Sequence, residues 1–298
     1  MIPCMAKIDF WWDEADRVTS NFDALLTQFL AWRPAVEPPI LAVLGLVQRF
    51  HGSALFKAIK STGLIRAVPF RDLPAEEMDR PDVALIRWGV VAQADRERIP
   101  AGVAVLNDIH LNTDKANVEE KFSAVAGYSS FVDPREGVGL AVLKSKMNAR
   151  HDGRVIQLPL DTYDTEDLIC QRLVNNTLND YVVDIRIPFV NGHPLSAYVK
   201  FRDRGRRFDN SNAHVRLVAP SEVLTDEEMT LCQRFCNVMG FDYGELDILR
   251  DGKDGKIYIV DANDTPAGPP KTLPVAERQL ALRLIAMGFR RHVFNLPC

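Results

Sequence analysis

Two pairs of oxygen-bearing residues at strand spacing, Glu245 with Asp247 and Asp261 with Asn263, flank the polar run DGKDG in the segment FDYGELDILRDGKDGKIYIVDANDTPAGPPKTLP. Side chains alternate along a strand, so each pair shares a face, and the polar run reads as a tight hairpin that brings the pairs together. Among them the carboxylates of Asp247 and Asp261 with the amide oxygen of Asn263 suit a hard cation such as Mg2+, with Mn2+ admitted by the same donors, especially where phosphates complete the shell. No histidine or cysteine is interleaved, which disfavours zinc. The alternative is a solvated hairpin with its acids on the wet face. Against it, Leu246, Ile248, Ile257, Ile259 and Val260 surround Asp247 and Asp261, and carboxylates in such company are expensive unless paired or bound to metal.

Basic residues upstream offer an anionic partner for that cation. Lys144 ends the apolar stretch GLAVLK and opens a polar segment with Lys146, Asn148, His151 and Gly153. Lys200 and Arg202 alternate with Tyr198 on one face of a second strand. Lysine is a compact phosphate charge, and arginine is a planar fork for phosphate or carboxylate. Together with Asp247, Asp261 and Asn263 they form a set suited to neutralising a polyphosphate and aligning a phosphoryl group. Taken singly, each is more often a solvated side chain. Arg87 and Trp88 close another apolar run, where the exit of a strand in an open sheet meets ligands.

The elements that position these residues follow from pattern and punctuation. Residues 1–37 read as an N-terminal arm or helix, with Phe22, Leu26, Phe29 and Leu30 near one helical face and Trp11 and Trp12 as covering residues. Pro34, Pro38 and Pro39 then break the chain. Over residues 38–106, a strand and turn in ILAVLGLVQRF, a helix in SALFKAIKSTG and strands in LIRAVPF and DVALIRWG make a small α/β unit. Beyond residue 107, Thr113 or Asp114 caps a helix that Gly127 ends. DLICQRLVNN reads as a helix leading into a strand. YVVDIRIPFVNGHPLSAYVKFR reads as two strands joined at NGHP. DEEMTLCQRFCNVMG and VAERQLALRLIAMGFRRHVF are helical, the latter packed over the sheet.

Composition bounds the rest. The chain has 298 residues, 47% hydrophobic and 26% charged, with a formal charge of -4, which gives no general attraction to nucleic acid or an anionic membrane. No apolar run approaches the roughly eighteen residues of a membrane span, and the start MIPCMAKIDFWWDEADR has no secretory pattern. Five scattered cysteines, Cys4, Cys170, Cys232, Cys236 and Cys298, fit a reduced, cytoplasmic protein. Cys232 and Cys236, one helical turn apart, read as core packing.

Taken in order, Asp114 with Lys115, the strand-ending Lys144, the DIR of Asp184 to Arg186, the KFR of Lys200 to Arg202 and the closing ELD…VDANDTP resemble the ATP-grasp superfamily. This is the fold of glutathione synthetase, D-alanine:D-alanine ligase and ribosomal-protein glutamate ligases. The resemblance covers about residues 107–270. It implies an ATP-grasp fold of mixed α/β and α+β class, in which two α+β subdomains, about 107–172 and 173–298, clasp ATP behind the α/β unit at 38–106. It further implies that Lys115, Lys144 and Lys200 approach the phosphates, that the loop from Lys146 through His151 to Gly153 closes over them, and that Gln171, Arg172, Leu173 and Val174 form the hinge at adenine. The acid usual at the hinge is absent from QRLVNN.

Asp247, Asp261 and Asn263 would then hold Mg2+, with Asp261 standing where a longer glutamate is more common. Arg202, Lys200 and Arg186 would be the catalytic cations. Arg202 would face the acyl phosphate, and Arg186 would bind substrate, support the metal carboxylates or form a structural ion pair with Asp184 or another acid. Arg87, Asn212, Thr265 and Gly268 are the candidate substrate contacts. The implied activity is a Mg-ATP-dependent carboxylate–amine ligase acting on a small carboxylate and amine or a short peptide, as a possible homodimer, with no nucleic-acid or membrane partner. The alternatives are an ATP-dependent cyclo-ligase or phosphotransferase, and a non-catalytic ATP-binding or scaffolding protein.

Overall fold

The computed structural model describes residues 37–146, 152–163, 167–209 and 211–297. The features expected on residues 1–36, together with Asn148 and His151, lie outside the described residues.

Ile40–Gly45 (β1) is buried almost end to end, as an apolar run without polar alternation requires of a central parallel strand. It pairs in parallel with Arg66–Pro69 (β2) and Val83–Trp88 (β3), and β3 pairs with Val105–Leu106 (β4), giving the order β2-β1-β3-β4. The turn expected after β1 is instead a short helix, Val47–Phe50, whose Phe50 is buried. Helix Ala54–Thr62 (α1) is capped by Ser53, whose hydroxyl accepts the Phe56 N–H at 3.0 Å, and it ends at Gly63 in the left-handed conformation.

A second, three-stranded antiparallel sheet places Gly139–Ser145 (β5) between Arg154–Leu158 (β6) and Leu168–Arg172 (β7). The helix expected at the start of DLICQRLVNN is replaced by β7. Leu168 and Cys170 alternate inward onto Ala141, Leu143 and Leu158, a period of two that a helix cannot supply.

The third sheet has seven strands. Thr177–Leu178 (β8), Tyr181–Val190 (β9), His193–Pro194 (β10), Ala197–Asp203 (β11), His214–Val218 (β12), Tyr243–Arg250 (β13) and Ile257–Asn263 (β14) pair with the main order β12-β11-β9-β13-β14. β9 and β11 are joined through Asn191 and Gly192, both at positive φ, as the NGHP turn predicts. One face of this sheet carries Ile185, Ile187, Val199, Phe201, Leu246, Ile248 and Ala262 into a core closed by helices Lys115–Ala126 (α2) and Asp226–Met239 (α3). Asp114 caps α2 by accepting the Asn117 N–H at 2.8 Å, and Thr225 with Glu228 forms a capping box on α3. Cys232 and Cys236 are core residues of α3.

The last helix, Val275–His292 (α4), does more than cover the large sheet. Ile285, Ala286 and Phe289 pack with Leu55, Ala58 and Trp88 of the parallel unit and with Val190 and Tyr243 of the large sheet. It is the apolar wedge between the two. Among the described residues, no helix is long and apolar enough to cross a membrane.

Candidate functional site

The opening hairpin forms as its sequence predicts, and a one-residue irregularity sets which faces coincide. Asp247 stands opposite Asp261, and Glu245 opposite Asn263. Ile248 then pairs with Ile259, so Val260 is an extra residue in β14. Such a bulge kinks a strand and re-aims its neighbours, here beside Asp261. Across β9, Asp247 is opposite Arg186, which in turn is opposite Tyr198 of β11. Opposite residues of antiparallel strands share a face, so four strands contribute one row, with Asp184 and Lys200 paired in the adjoining one. This is the face turned away from α2 and α3.

Arg186 grips Asp247 as a fork, Nε to Oδ1 at 2.7 Å and Nη2 to Oδ2 at 2.6 Å, while Lys200 Nζ donates to Oδ1 at 3.1 Å. Burial works against the Asp247 charge, but Arg186 and Lys200 together outweigh it and hold the carboxyl well below its ordinary range. The Asp247 charge raises Arg186 in turn, against the cost of burial. Asp261 is the opposite case. Its Oδ1 is buried without a hydrogen-bond partner, and burial, then the Asp247 charge, push its pKa up while Lys115, Lys144 and Arg186 pull it down. Lys144 makes no ion pair among the described residues. Burial and then the neighbouring Lys115 charge bring its pKa down to about 8. Lys115 is also lowered by burial, against the pull of Asp261, Asp152 and Asp114.

Lys115 from the start of α2, Lys144 from β5 and Asp261 from β14 thus converge, although 146 positions separate the first from the last. Two lysines whose charge burial disfavours stand near a carboxylate oxygen without a hydrogen bond, a setting that phosphate and a cation together would relieve. Among the described residues, no three His, Cys, Asp or Glu side chains group as a metal cage. Two carboxylates and an amide completed by phosphate oxygens fit Mg2+, which rarely takes an all-protein shell. Asn263 Oδ1 also accepts the Thr265 N–H at 3.1 Å, which fixes that oxygen at the end of β14.

The other expected residues find different company. Arg202 pairs with Asp184 at 2.8 Å, donates to the Arg207 carbonyl and lies 3.5 Å from Asn212 Oδ1. Arg202 holds Asp184, so the ion pair that Arg186 forms is with another acid, Asp247, to which the row delivers it. Arg87 is buried and fully engaged, by the Asn107 and Gly89 carbonyls and by Asp264 at 2.5 Å, so it joins β3 to the end of β14. Gly268, at φ 133°, approaches Lys57 Nζ, while Lys57 donates to the Ala267 carbonyl and the Ala54 N–H to Pro266. The loop after Asn263 is thereby docked on α1.

At the hinge, Gln171 is buried and donates to Ser130, Arg172 meets the Tyr258 hydroxyl and Asp251, the Leu173 N–H donates to the Leu140 carbonyl, and Val174 belongs to the large core. The Lys146 N–H donates to the Asp167 carbonyl. Gly153 lies so close to the Phe208 ring that a Cβ there would sit 2.8 Å from it, which brings the entry to β6 against the β11–β12 connection. Leu140 and Val155, both exposed, share with Lys144 the outer face of the three-stranded sheet and offer an apolar wall beside it.

Two participants had no sequence signal, and a third was visible without its state. Asp264 was hidden because its partner Arg87 is 177 residues away. Glu119, inside α2, holds Ser129 and the Ser130 N–H and ties that helix to the strand carrying Gln171. Glu245 was visible as the residue two before Asp247, but only the structure shows it 2% exposed with one oxygen unpartnered.

No protein-family model matches the chain, and no curated protein matches it. Among solved structures, it is similar to that of the ATP-grasp ligase PsnB complexed with a minimal precursor, at 18% identity, over 84% of this chain and 99% of that one, with a TM-score of 0.50. The fold is an ATP-grasp fold. D-cycloserine synthetase DcsG matches at 13% identity over 84% of this chain and 98% of its own, with a TM-score of 0.47. D-alanine–D-alanine ligase from Bacillus anthracis, complexed with ATP, matches at 14% identity over 88% and 100%, also with 0.47. In this fold Lys144 of the three-stranded sheet feels the charges of Lys115 and of Asp261 on the charged face of the seven-stranded sheet.

Proposed function

We propose that the chain is a Mg-ATP-dependent ligase that activates a carboxylate as an acyl phosphate and joins it to an amine. The observation that carries this reading is the unpartnered Asp261 oxygen set between Asp247 and the destabilised Lys115 and Lys144. Lys115 and Lys144 neutralise the nucleotide phosphates, and their own repulsion is relieved as they do so. Asp247, Asp261 and Asn263 are the residues that would hold Mg2+, which supplies charge neutralisation on the terminal phosphates when bound.

An oxygen of the acceptor carboxylate attacks the γ-phosphorus, the bond from that phosphorus to the bridging oxygen breaks, and ADP leaves. The amine nitrogen then adds to the acyl carbon, inorganic phosphate departs, and the nitrogen loses a proton. Positioning and charge stabilisation carry such chemistry, so no nucleophilic side chain is required. Arg202, Lys200 and Arg186 are the cations nearest the transferred group, and the loop of Thr265 to Gly268 borders the acceptor.

The test begins with a calorimetric titration of the chain with Mg-ATP. A panel of small acids, amines and short peptides then tests turnover, where ADP and phosphate should form in step with an amide. Absence of Mg-ATP binding sinks the reading. A phosphorylated acceptor or a cyclised single substrate, read by product mass, replaces it with phosphotransfer or ring closure.

A further inference from the structure

Asp247 poses a conflict within the site. Both its oxygens accept short bonds from Arg186, and one accepts a third from Lys200, so a divalent cation would need oxygens that two cationic side chains already fill. Two positive groups and a dication cannot share one buried carboxylate without strong repulsion. At least one cation must step aside, and the surroundings of Arg186 differ on its two sides.

On one side is the saturated Asp247. On the other is Glu245, two residues earlier on β13 and on the same face, with Oε2 3.5 Å from Arg186 Nη1. That distance is too long for a hydrogen bond but close enough for a small rotation of the fork to make one. Glu245 is 2% exposed and its Oε1 has no partner. The nearby Tyr243 hydroxyl is also buried without a partner, and Glu245 is one of the charges felt by that phenol. Buried polar atoms are normally satisfied, so unused acceptors beside an arginine point to a second position for it.

We propose that Glu245 is a positioning residue that receives the Arg186 guanidinium when Asp247 turns to a divalent cation. The exchange keeps Arg186 paired throughout, so no buried charge is stranded, and it moves the fork toward the Asn263 end of the hairpin, where Glu245 stands opposite. Asp247 then retains at most Lys200 and offers its other oxygen to the metal. The inference rests on the metal reading above, and it concerns which of two neighbouring carboxylates holds one arginine.

A double-mutant cycle tests it. Binding of a non-hydrolysable ATP analogue is measured by calorimetry across a Mg2+ series for the wild type, Glu245→Gln, Arg186→Met and the double variant. Glu245→Gln should weaken Mg2+-dependent binding about tenfold, within the range of coupling between linked sites, and should leave binding unchanged once Arg186 is Met. Glu245→Asp, which keeps the charge, should recover most of the loss, and melting of the metal-free variants verifies their folding. Equal binding by wild type and Glu245→Gln overturns the proposal, as does an equal loss in both Arg186 backgrounds, which would mark Glu245 as merely structural. A wild type that binds no Mg-ATP analogue overturns the functional reading itself, a separate outcome.

Discussion

Replacing Lys144 by methionine should have opposite effects on the empty and the nucleotide-bound protein. Burial and the Lys115 charge lower the Lys144 pKa from 10.5 to about 8. At about 1.4 kcal/mol per unit, holding that ammonium charged in the empty fold at neutral pH costs about 3 kcal/mol. Methionine keeps most of the stem and removes the charge, so the empty Lys144→Met protein should be more stable than the wild type. For a chain of this size the gain corresponds to a rise in melting temperature of about 5 °C. The sign with pH follows from the depressed folded value. The penalty is complete below about pH 8, and it falls away as pH rises toward 10.5, where the unfolded chain still binds the proton that the folded one has released. The stability difference between variant and wild type should therefore shrink over that window.

Mg-ATP should reverse the order. It stabilises whatever binds it by mass action, and the variant has lost a phosphate partner. Thermal melting of wild type, Lys144→Met and Lys144→Arg, with and without Mg-ATP at pH 7 and pH 10, reads both effects. An empty Lys144→Met protein no more stable than wild type at pH 7, with its stabilisation by Mg-ATP intact, would refute the argument that this lysine is held at a cost for the nucleotide.

Three further outcomes follow from other parts of the fold. Asp261→Asn should reduce Mg2+-dependent nucleotide binding by about tenfold or more, while Asp261→Glu, which restores only length, should retain it; metal-series calorimetry compares them. Gly153→Val should displace the Phe208 ring from residue 153, and if the segment at Gly153 covers nucleotide as proposed, it should also speed nucleotide release several-fold, read by stopped flow. Phe289, fully buried in the wedge of α4, should cost about 3–5 kcal/mol when changed to alanine, measured as a lower denaturation midpoint.

The acidic hairpin was legible because it is local. The two-residue periods of Glu245 with Asp247 and Asp261 with Asn263, and a polar turn between them, show which residues share a face on each strand and that the strands pair, while the extra residue Val260 decides that Asp261 meets Asp247. The cap of α2 and the strand carrying Lys144 were legible for the same reason, since each depends on a few neighbouring residues. DLICQRLVNN misled because a short apolar run carries no decisive period, and only its place beside β5 made it a strand.

What the sequence determined by itself is a set of elements and the types of charge on each. It did not determine which charges meet. Lys115, Lys144 and Asp261 act on one another, Arg87 finds Asp264, and Arg186 chooses Asp247 over the nearer Asp184, because strand order and sheet packing, not chain distance, set who is opposite whom. Tertiary structure also decided the energetic state of each group. Burial removes the water that would otherwise make every lysine and carboxylate alike, so the same residue types become a saturated Asp247, an unsatisfied Asp261 and a Glu245 with one oxygen in reserve.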